Sequence, residues 1–275
     1  MINLAALIAG LAAPAAVSAI GPRIAANNMT MPPEYANIMA ADPPKALPQK
    51  ATANDLRWQP VLDFDTDGCY NVPAIDAEGN IAEGLENNWT GPSTDCRDES
   101  DLDNNNVYSR QRCNSGWCVY LYTYYFEKDV AVPNFWDVGH RHDWEHIAVW
   151  VKDDKAQYVG ASQHGNFEIK AASDVRWEGE RPKMVYHKDG GSTHCFRFGT
   201  AKDDSIENHK GVWFRGDLVS WNGFPGNTRD LLSAHDFGKA NFALKDSSFP
   251  NSIGKAKPDE VTFDTGKDDG SPGTP

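Results

Sequence analysis

The chain has no apolar run long enough to cross a bilayer as a helix, which takes about 20 consecutive apolar residues. Its best candidate, Leu4 to Val17, is shorter and rich in small residues. That stretch also lacks a positive flank. It ends in Val17-Ser18-Ala19, a small-x-small pattern, so residues 1–19 read as a secretory signal peptide and the protein as extracellular. Any action on a membrane must then come from a soluble body. Positive charge is scarce as well: 26 Lys and Arg face 39 Asp and Glu, a formal net charge of -13. Nucleic acid and plain electrostatic adhesion to anionic lipid are thereby excluded, because both partners would be negative. An acidic or phosphorylated ligand would need a bridging cation. There is no G-x-S-x-G elbow, so a nucleophilic hydrolase has no recognisable centre. No internal repeat and no second core is visible in the 275 residues, which points to one domain.

What is present is β-rich. Trp117 to Phe126, WCVYLYTYYF, is β-branched and aromatic without Gly or Pro, the strongest strand signal in the chain. Alternation places Cys118, Tyr120, Tyr122, Tyr124 and Phe126 on one face, as core. Glu127-Lys128-Asp129 is expected to end the strand. Further strands are predicted at 156–162, 183–187 and 195–198, and a helix at 228–234 capped by Asn227 or Thr228. Residues 20–52 are Ala-, Pro- and Asn-rich and read as a pro-segment or flexible arm. Residues 53–257 form the expected domain, and residues 258–275 an acidic, disordered tail. The fold class predicted is mainly β, a single-domain β-sandwich with peripheral helices. Asn28-Met29-Thr30 and Asn88-Trp89-Thr90 are glycosylation sequons.

Five cysteines in a secreted chain imply disulfides. A Cys69–Cys96 bridge would close a loop worth about 3–4 kcal/mol in the chain-entropy account. Cys113 and Cys118 are spaced to close a short loop. Cys195 is left over, as a buried thiol or as a sign of another pairing; sequence does not choose among connectivities.

Two acidic stretches invite a cation. Asp63 to Gly68 reads as a strand end, a cation loop or a solvated turn. In Asp98 to Asn106, Asp101, Asp103 and Asn105 alternate like the start of an EF-hand, but Asn106 and Arg112 stand where Gly and Glu are needed. A polar loop is the alternative there.

The stretch Gly139 to Glu145, GHRHDWE, concentrates the chemistry. It runs into the apolar Ile147-Ala148-Val149-Trp150-Val151, which reads as a buried strand. Strand alternation puts Asp143, Glu145, Ile147, Val149 and Val151 on one face, with His142, Trp144, His146 and Ala148 on the other. Neighbouring carboxylates on one face repel unless a cation or a proton lies between them. A zincin needs Glu directly after its first His on a helix, and Asp143 follows His142 here. Three readings remain. Asp143 and His140 could act as an acid–base pair, or Arg141 could hold an ion-paired cluster without metal. The third is a hard-cation site with Asp129, Asp143 and Glu145 as oxygen ligands and His140 further out, suited to magnesium or calcium.

GHRHDWE followed by an apolar strand resembles the heptapeptide of the necrosis- and ethylene-inducing-peptide-like proteins, the NLP cytolysins. Tyr-Tyr-Phe-Glu-Lys-Asp at 124–129, Glu-Asn-His-Lys at 207–210 and Ala-His-Asp-Phe-Gly at 234–238 extend the likeness over about residues 55–255. The Cys113–Cys118 pair resembles the fungal-type subgroup with two disulfides. The resemblance implies a secreted, monomeric β-sandwich akin to actinoporins and fungal lectins, with no established enzymatic activity. It implies a divalent cation, magnesium or calcium, held by Asp129, His140, Asp143 and Glu145. His209 would stand near that pocket, and Arg141, His142 and Trp144 would serve the ligand. The implied ligand is the glycosyl inositol phosphoryl ceramide headgroup of plant plasma membranes, and the implied outcome is membrane damage. A non-cytotoxic binding protein and a metal-dependent phosphodiesterase or glycosidase are the alternatives. Two departures stand out: a longer segment between Asp129 and His140, and Trp213 as the nearest counterpart of a membrane-proximal tryptophan.

Overall fold

Local chain chemistry decides the elements. Three hairpins turn on two residues in left-handed backbone, Ser115-Gly116, Asp153-Asp154 and His164-Gly165, the geometry that matches strand twist. The computed structural model describes residues 42–86, 91–130, 139–191, 193–271 and 275. The signal-peptide reading, most of the arm, both sequons and residues 131–138 lie outside these. In chain order the elements are α1 (Ala53–Trp58), β1 (Val61–Phe64), α2 (Glu99–Asp103), β2 (Asn106–Asn114), β3 (Trp117–Val130), β4 (Gly139–Lys152), β5 (Lys155–Gln163) and β6 (Asn166–Ala171). They continue with β7 (Trp177–Glu178), β8 (Arg181–Lys188), β9 (His194–Phe198), β10 (Asp217–Ser220), α3 (Thr228–Ala234) and α4 (Phe249–Lys255).

Two sheets form a sandwich. The larger runs β10-β2-β3-β4-β5-β6, and the smaller runs β1-β8-β7 with β9 on β8. Every strand contact is antiparallel except β1–β8 and β10–β2. Between the sheets lie Tyr120, Tyr122, Tyr124 and Phe126 of β3 with Ile147, Val149 and Val151 of β4, packed on Phe64, Met184, Tyr186 and Phe196. This is the face that alternation predicted. The outer face of the same sheet is apolar too. Leu121, Tyr125, Trp144, Ala148 and Trp150 are covered by Phe242, Leu244, Phe249, Ile253 and Val261. A sheet buried on both faces reads as a continuous apolar run, which is why β3 looked so strong. Each such aliphatic or phenyl side chain contributes about 1.5–3 kcal/mol.

Several expectations need correction. β3 does not stop at Glu127-Lys128-Asp129: these residues are buried and paired, so the ladder runs on to Val130. Lys128 Nζ donates to the Thr94 carbonyl at 2.6 Å. Residues 258–271 are not a loose tail. Val261 is buried, Phe263 packs edge-on against Trp150, and Asp269 N–H donates to the Cys113 carbonyl. The polar composition of this segment hid an anchor of two apolar residues and several backbone hydrogen bonds. The end of the arm also belongs to the body: Leu47 is buried and Lys50 bridges Val219 in parallel. A Cβ at Gly223 would lie 2.0 Å from the Lys50 carbonyl oxygen, so only glycine lets the two backbones approach.

Both disulfides expected from the sequence are formed, Cys69–Cys96 and Cys113–Cys118, the latter between directly opposed residues of β2 and β3. Cys195 is a free, buried thiol.

Candidate cation site

β3 and β4 bring the site together through their register, which pairs Asp129 with His140, Phe126 with Asp143 and Tyr124 with Glu145. Strict alternation would send His140 and Asp143 to opposite faces. His142 interrupts it with φ 61. One ligand atom from each of Asp129, His140 and Asp143 lies within 4.8 Å of the others. The three line a cavity of about 300 Å³ with Glu145, Ser162 and Thr193.

Each side chain is held by a neighbour. Asp129 accepts from the His194 backbone N–H at 3.0 Å and from its Nδ1 at 2.8 Å. Tyr186 hydroxyl donates to Asp143 at 3.2 Å, and Ser162 hydroxyl donates to Glu145. His140 Nδ1 lies 2.7 Å from the His142 carbonyl, which can only accept. The proton therefore sits on Nδ1, and a neutral His140 offers its Nε2 lone pair, the arrangement of a metal-ligating imidazole.

The electrostatics are those of a site built for positive charge. Asp129, Asp143 and Glu145 are 2%, 5% and 8% exposed, and among the described residues no Lys or Arg forms an ion pair with them. Burial first, and Asp129 second, push Asp143 well above the carboxylate range; burial and then Asp143 do the same to Glu145. Deprotonated, the cluster needs a cation. The donors are three carboxylates and one imidazole. Such a set, open to water on one side, fits a hard divalent ion such as magnesium or calcium.

The other sequence candidates divide. Trp144 borders the cavity but packs outward between Phe237 and Phe242. His142 faces the outer side, 2.6 Å from the Tyr125 hydroxyl and edge-on to Phe237, with burial pulling it down to about 4. Gly84 leaves it room, since a Cβ there would lie 2.7 Å from its ring. Arg141 turns to Glu86 and the Glu83 carbonyl. His209 does not line the cavity; its Nδ1 is 2.9 Å from the Tyr70 hydroxyl. The segment around it hangs on Asp63, whose carboxylate accepts from the Glu207 and Asn208 N–H groups. Asp63 is thus a buried anchor in strand β1, and the turn expected after it forms at Thr66 to Gly68, tied down by the Cys69–Cys96 bridge. The Asp98 to Asn106 stretch contains α2 instead of a loop. Asp101 accepts from the Asp98 N–H, and Asp103 pairs with Lys210. Sequence reading missed His194, Tyr186 and Ser162, which orient the carboxylates. Only the pairing of distant strands shows them.

A β-sandwich with a buried acidic cluster lining an open cavity defines a protein with a candidate cation site. The family described as "Necrosis inducing protein (NPP1)" matches residues 52–256, and the chain belongs to this necrosis-inducing, NLP family. It is 30% identical over 220 residues to NLP effector protein 10 of Phytophthora capsici, spanning 78% of this chain and 85% of that one. It superposes on NLPPya in complex with mannosamine with a TM-score of 0.64 and 28% identity, over 77% of this chain and 95% of that chain. Non-toxic HaNLP3 shares the fold, with a TM-score of 0.66 at 23% identity over 79% and 99%.

Proposed function

We propose that the chain is a secreted, monomeric, cation-dependent cytolytic protein. It holds magnesium or calcium with Asp129, His140, Asp143 and Glu145, and through that ion takes the sugar–phosphate headgroup of glycosyl inositol phosphoryl ceramides on plant membranes. The observation that carries this reading is the convergence of Asp129, His140 and Asp143 in an open cavity where, among the described residues, no Lys or Arg ion-pairs with them and His194 is the partner of Asp129. A strongly acidic protein meeting a phosphorylated lipid needs positive charge at one point, and a coordinated divalent ion with open positions provides it. Sugar binding by the mannosamine-bound relative supports the ligand class.

The experiment is leakage and co-sedimentation of vesicles carrying the glycosylated headgroup, with divalent cation, chelator and NaCl varied separately. Binding and leakage are expected to need the cation, to vanish in chelator and to change little with NaCl. Full binding in chelator refutes the bridging ion. Binding without leakage would identify a non-cytotoxic binding protein, the reading that the fold of HaNLP3 keeps in play. Release of soluble sugar phosphate would identify a metal-dependent hydrolase.

A further inference from the structure

A second group of potential metal-ligating side chains lies beside the carboxylate site, and one of them, His164, helps to line the same cavity. The β5–β6 turn carries His164 in left-handed backbone. Beyond β8, Asp189 follows Lys188, and β9 carries Cys195 directly opposite His187. Two hairpins from different sheets thus meet here. One ligand atom from each of His164, Asp189 and Cys195 lies within 4.8 Å of the others. His164 Nε2 is 2.9 Å from Asp189 Oδ2, and Nε2 of His187 stands 3.6 Å from the Cys195 sulfur.

We propose that His164, Asp189 and Cys195, with the fourth position open to water, form a zinc-class metal site that clasps the two sheets together. The donor chemistry carries the assignment. A thiolate with imidazole and carboxylate is a borderline-soft set that selects zinc over magnesium or calcium, whereas the Asp129–Asp143 cluster offers mostly hard oxygen. The spacing agrees. Tetrahedral zinc with bonds of roughly 2.0–2.3 Å keeps its ligands roughly 3.3–3.7 Å apart. The three ligand atoms already lie within 4.8 Å of one another, and the His164–Asp189 contact at 2.9 Å has only to open slightly. Access is also arranged: Cys195 is fully buried, while the side chains of His164 and Asp189 remain 37% and 57% exposed, so an ion arrives from solvent at the hairpin side. The site borders the carboxylate cluster, sharing its cavity through His164, but uses none of its ligands and does not rest on the function proposed for it.

The other four cysteines are in disulfides, which makes Cys195 the sole thiol and a clean reporter. The test is titration of the full chain with cobalt(II) as a coloured stand-in, followed by competition with zinc. A sulfur-to-cobalt charge-transfer band should grow to one equivalent, vanish on adding zinc and on Cys195→Ser, and persist in Asp143→Asn. Zinc should also raise the thermal midpoint of the wild type, because it binds only the folded hairpins. His164→Ala and Asp189→Asn change exposed positions and keep the fold. Each should weaken cobalt binding by at least about tenfold, the lower bound for changes even one shell out. They decide the matter if Cys195→Ser fails to fold. A folded chain without the band overturns the proposal and leaves Cys195 a packed thiol. A band of undiminished affinity in His164→Ala and Asp189→Asn overturns it too, as does loss of the band in Asp143→Asn.

Discussion

The two ends of the β3–β4 ribbon share one ladder and one register, yet burial has opposite consequences at each. At the Trp117–Lys152 end, the Cys113–Cys118 bridge staples the neighbouring hairpin, and Trp150 donates its Nε1–H to the Ala256 carbonyl at 2.8 Å. What β3 and β4 bury there, such as Val119, Val149 and Trp150, is apolar or hydrogen-bonded, so burial stabilises. At the Val130–Gly139 end the same strands carry Asp129, Asp143 and Glu145 into the interior, where burying their negative charge costs free energy. Stability from the first end sustains the second in a state it would not choose alone. The lesson is that a site of this kind needs a large, over-determined sheet behind it.

The largest effect should come from breaking the charged end. Asp143→Asn is expected to abolish leakage and lower divalent-cation affinity on the order of 100-fold, the upper range for altered metal surroundings. Without cation, the variant should unfold at the same denaturant concentration as wild type or higher, because one of three mutually repelling carboxylates is gone. A folded variant that leaks vesicles at the wild-type rate would refute the role given to Asp143. Breaking the stapled end should do the reverse. Replacing Cys113 and Cys118 by Ser should cost about 2 kcal/mol in urea unfolding, the chain-entropy value for so short a loop, and leave cation affinity unchanged. Cation binding that falls in step with stability would show that the ends are not separable.

Proton linkage sharpens the contrast. Burial raises Glu127 to about 8, and raises Asp143 and Glu145 as well. A carboxyl raised on folding contributes stability that is complete below its unfolded value and lost as pH rises through the folded one. His142 and His146, lowered by burial to about 4 and about 3, act oppositely: their contribution is present above pH 6.5 and lost as pH falls through the folded values. Above pH 6.5 the histidines are silent, so in chelator stability should decline toward pH 8. Glu127 alone accounts for roughly 1–2 kcal/mol of that decline. Glu127→Gln should remove that share, and saturating cation the share of Asp143 and Glu145. A flat profile in chelator would contradict the burial argument. The smallest effect belongs to Arg141→Ala. It lies within the heptapeptide but pairs with an exposed Glu86, so its loss should cost less than about 0.5 kcal/mol and leave cation titration unaltered.

Strand positions and the face of Asp143 and Glu145 were legible because alternation is a local property, and β3 and β4 keep it through their apolar length. His140 was legible as a residue type but not as a neighbour of Asp143. The left-handed turn at His142 carries no signal in a sequence of ordinary polar residues. His194, Tyr186 and Ser162 come from strands that reach the site only after the sandwich closes, and nothing in their own neighbourhoods marks them. Composition misled for residues 258–271, where Val261 and Phe263 outweigh a run of Asp, Gly and Lys. His209 shows the converse: a motif position can be matched while the side chain settles beside Tyr70, away from the cavity.

The outer cover of β3 and β4 has a consequence for biosynthesis. Phe242, Leu244, Phe249, Ile253 and Val261 all leave the ribosome after both central strands, by roughly a hundred residues. At about 5–20 residues per second, the nascent chain spends several seconds or more with Leu121, Tyr125, Trp144 and Trp150 unprotected. Its parallel pairings, β1 with β8 and β10 with β2, must also wait for distant partners. Maturation is therefore obligatorily late, and the outer face of the sheet stays uncovered until the last segment wraps it.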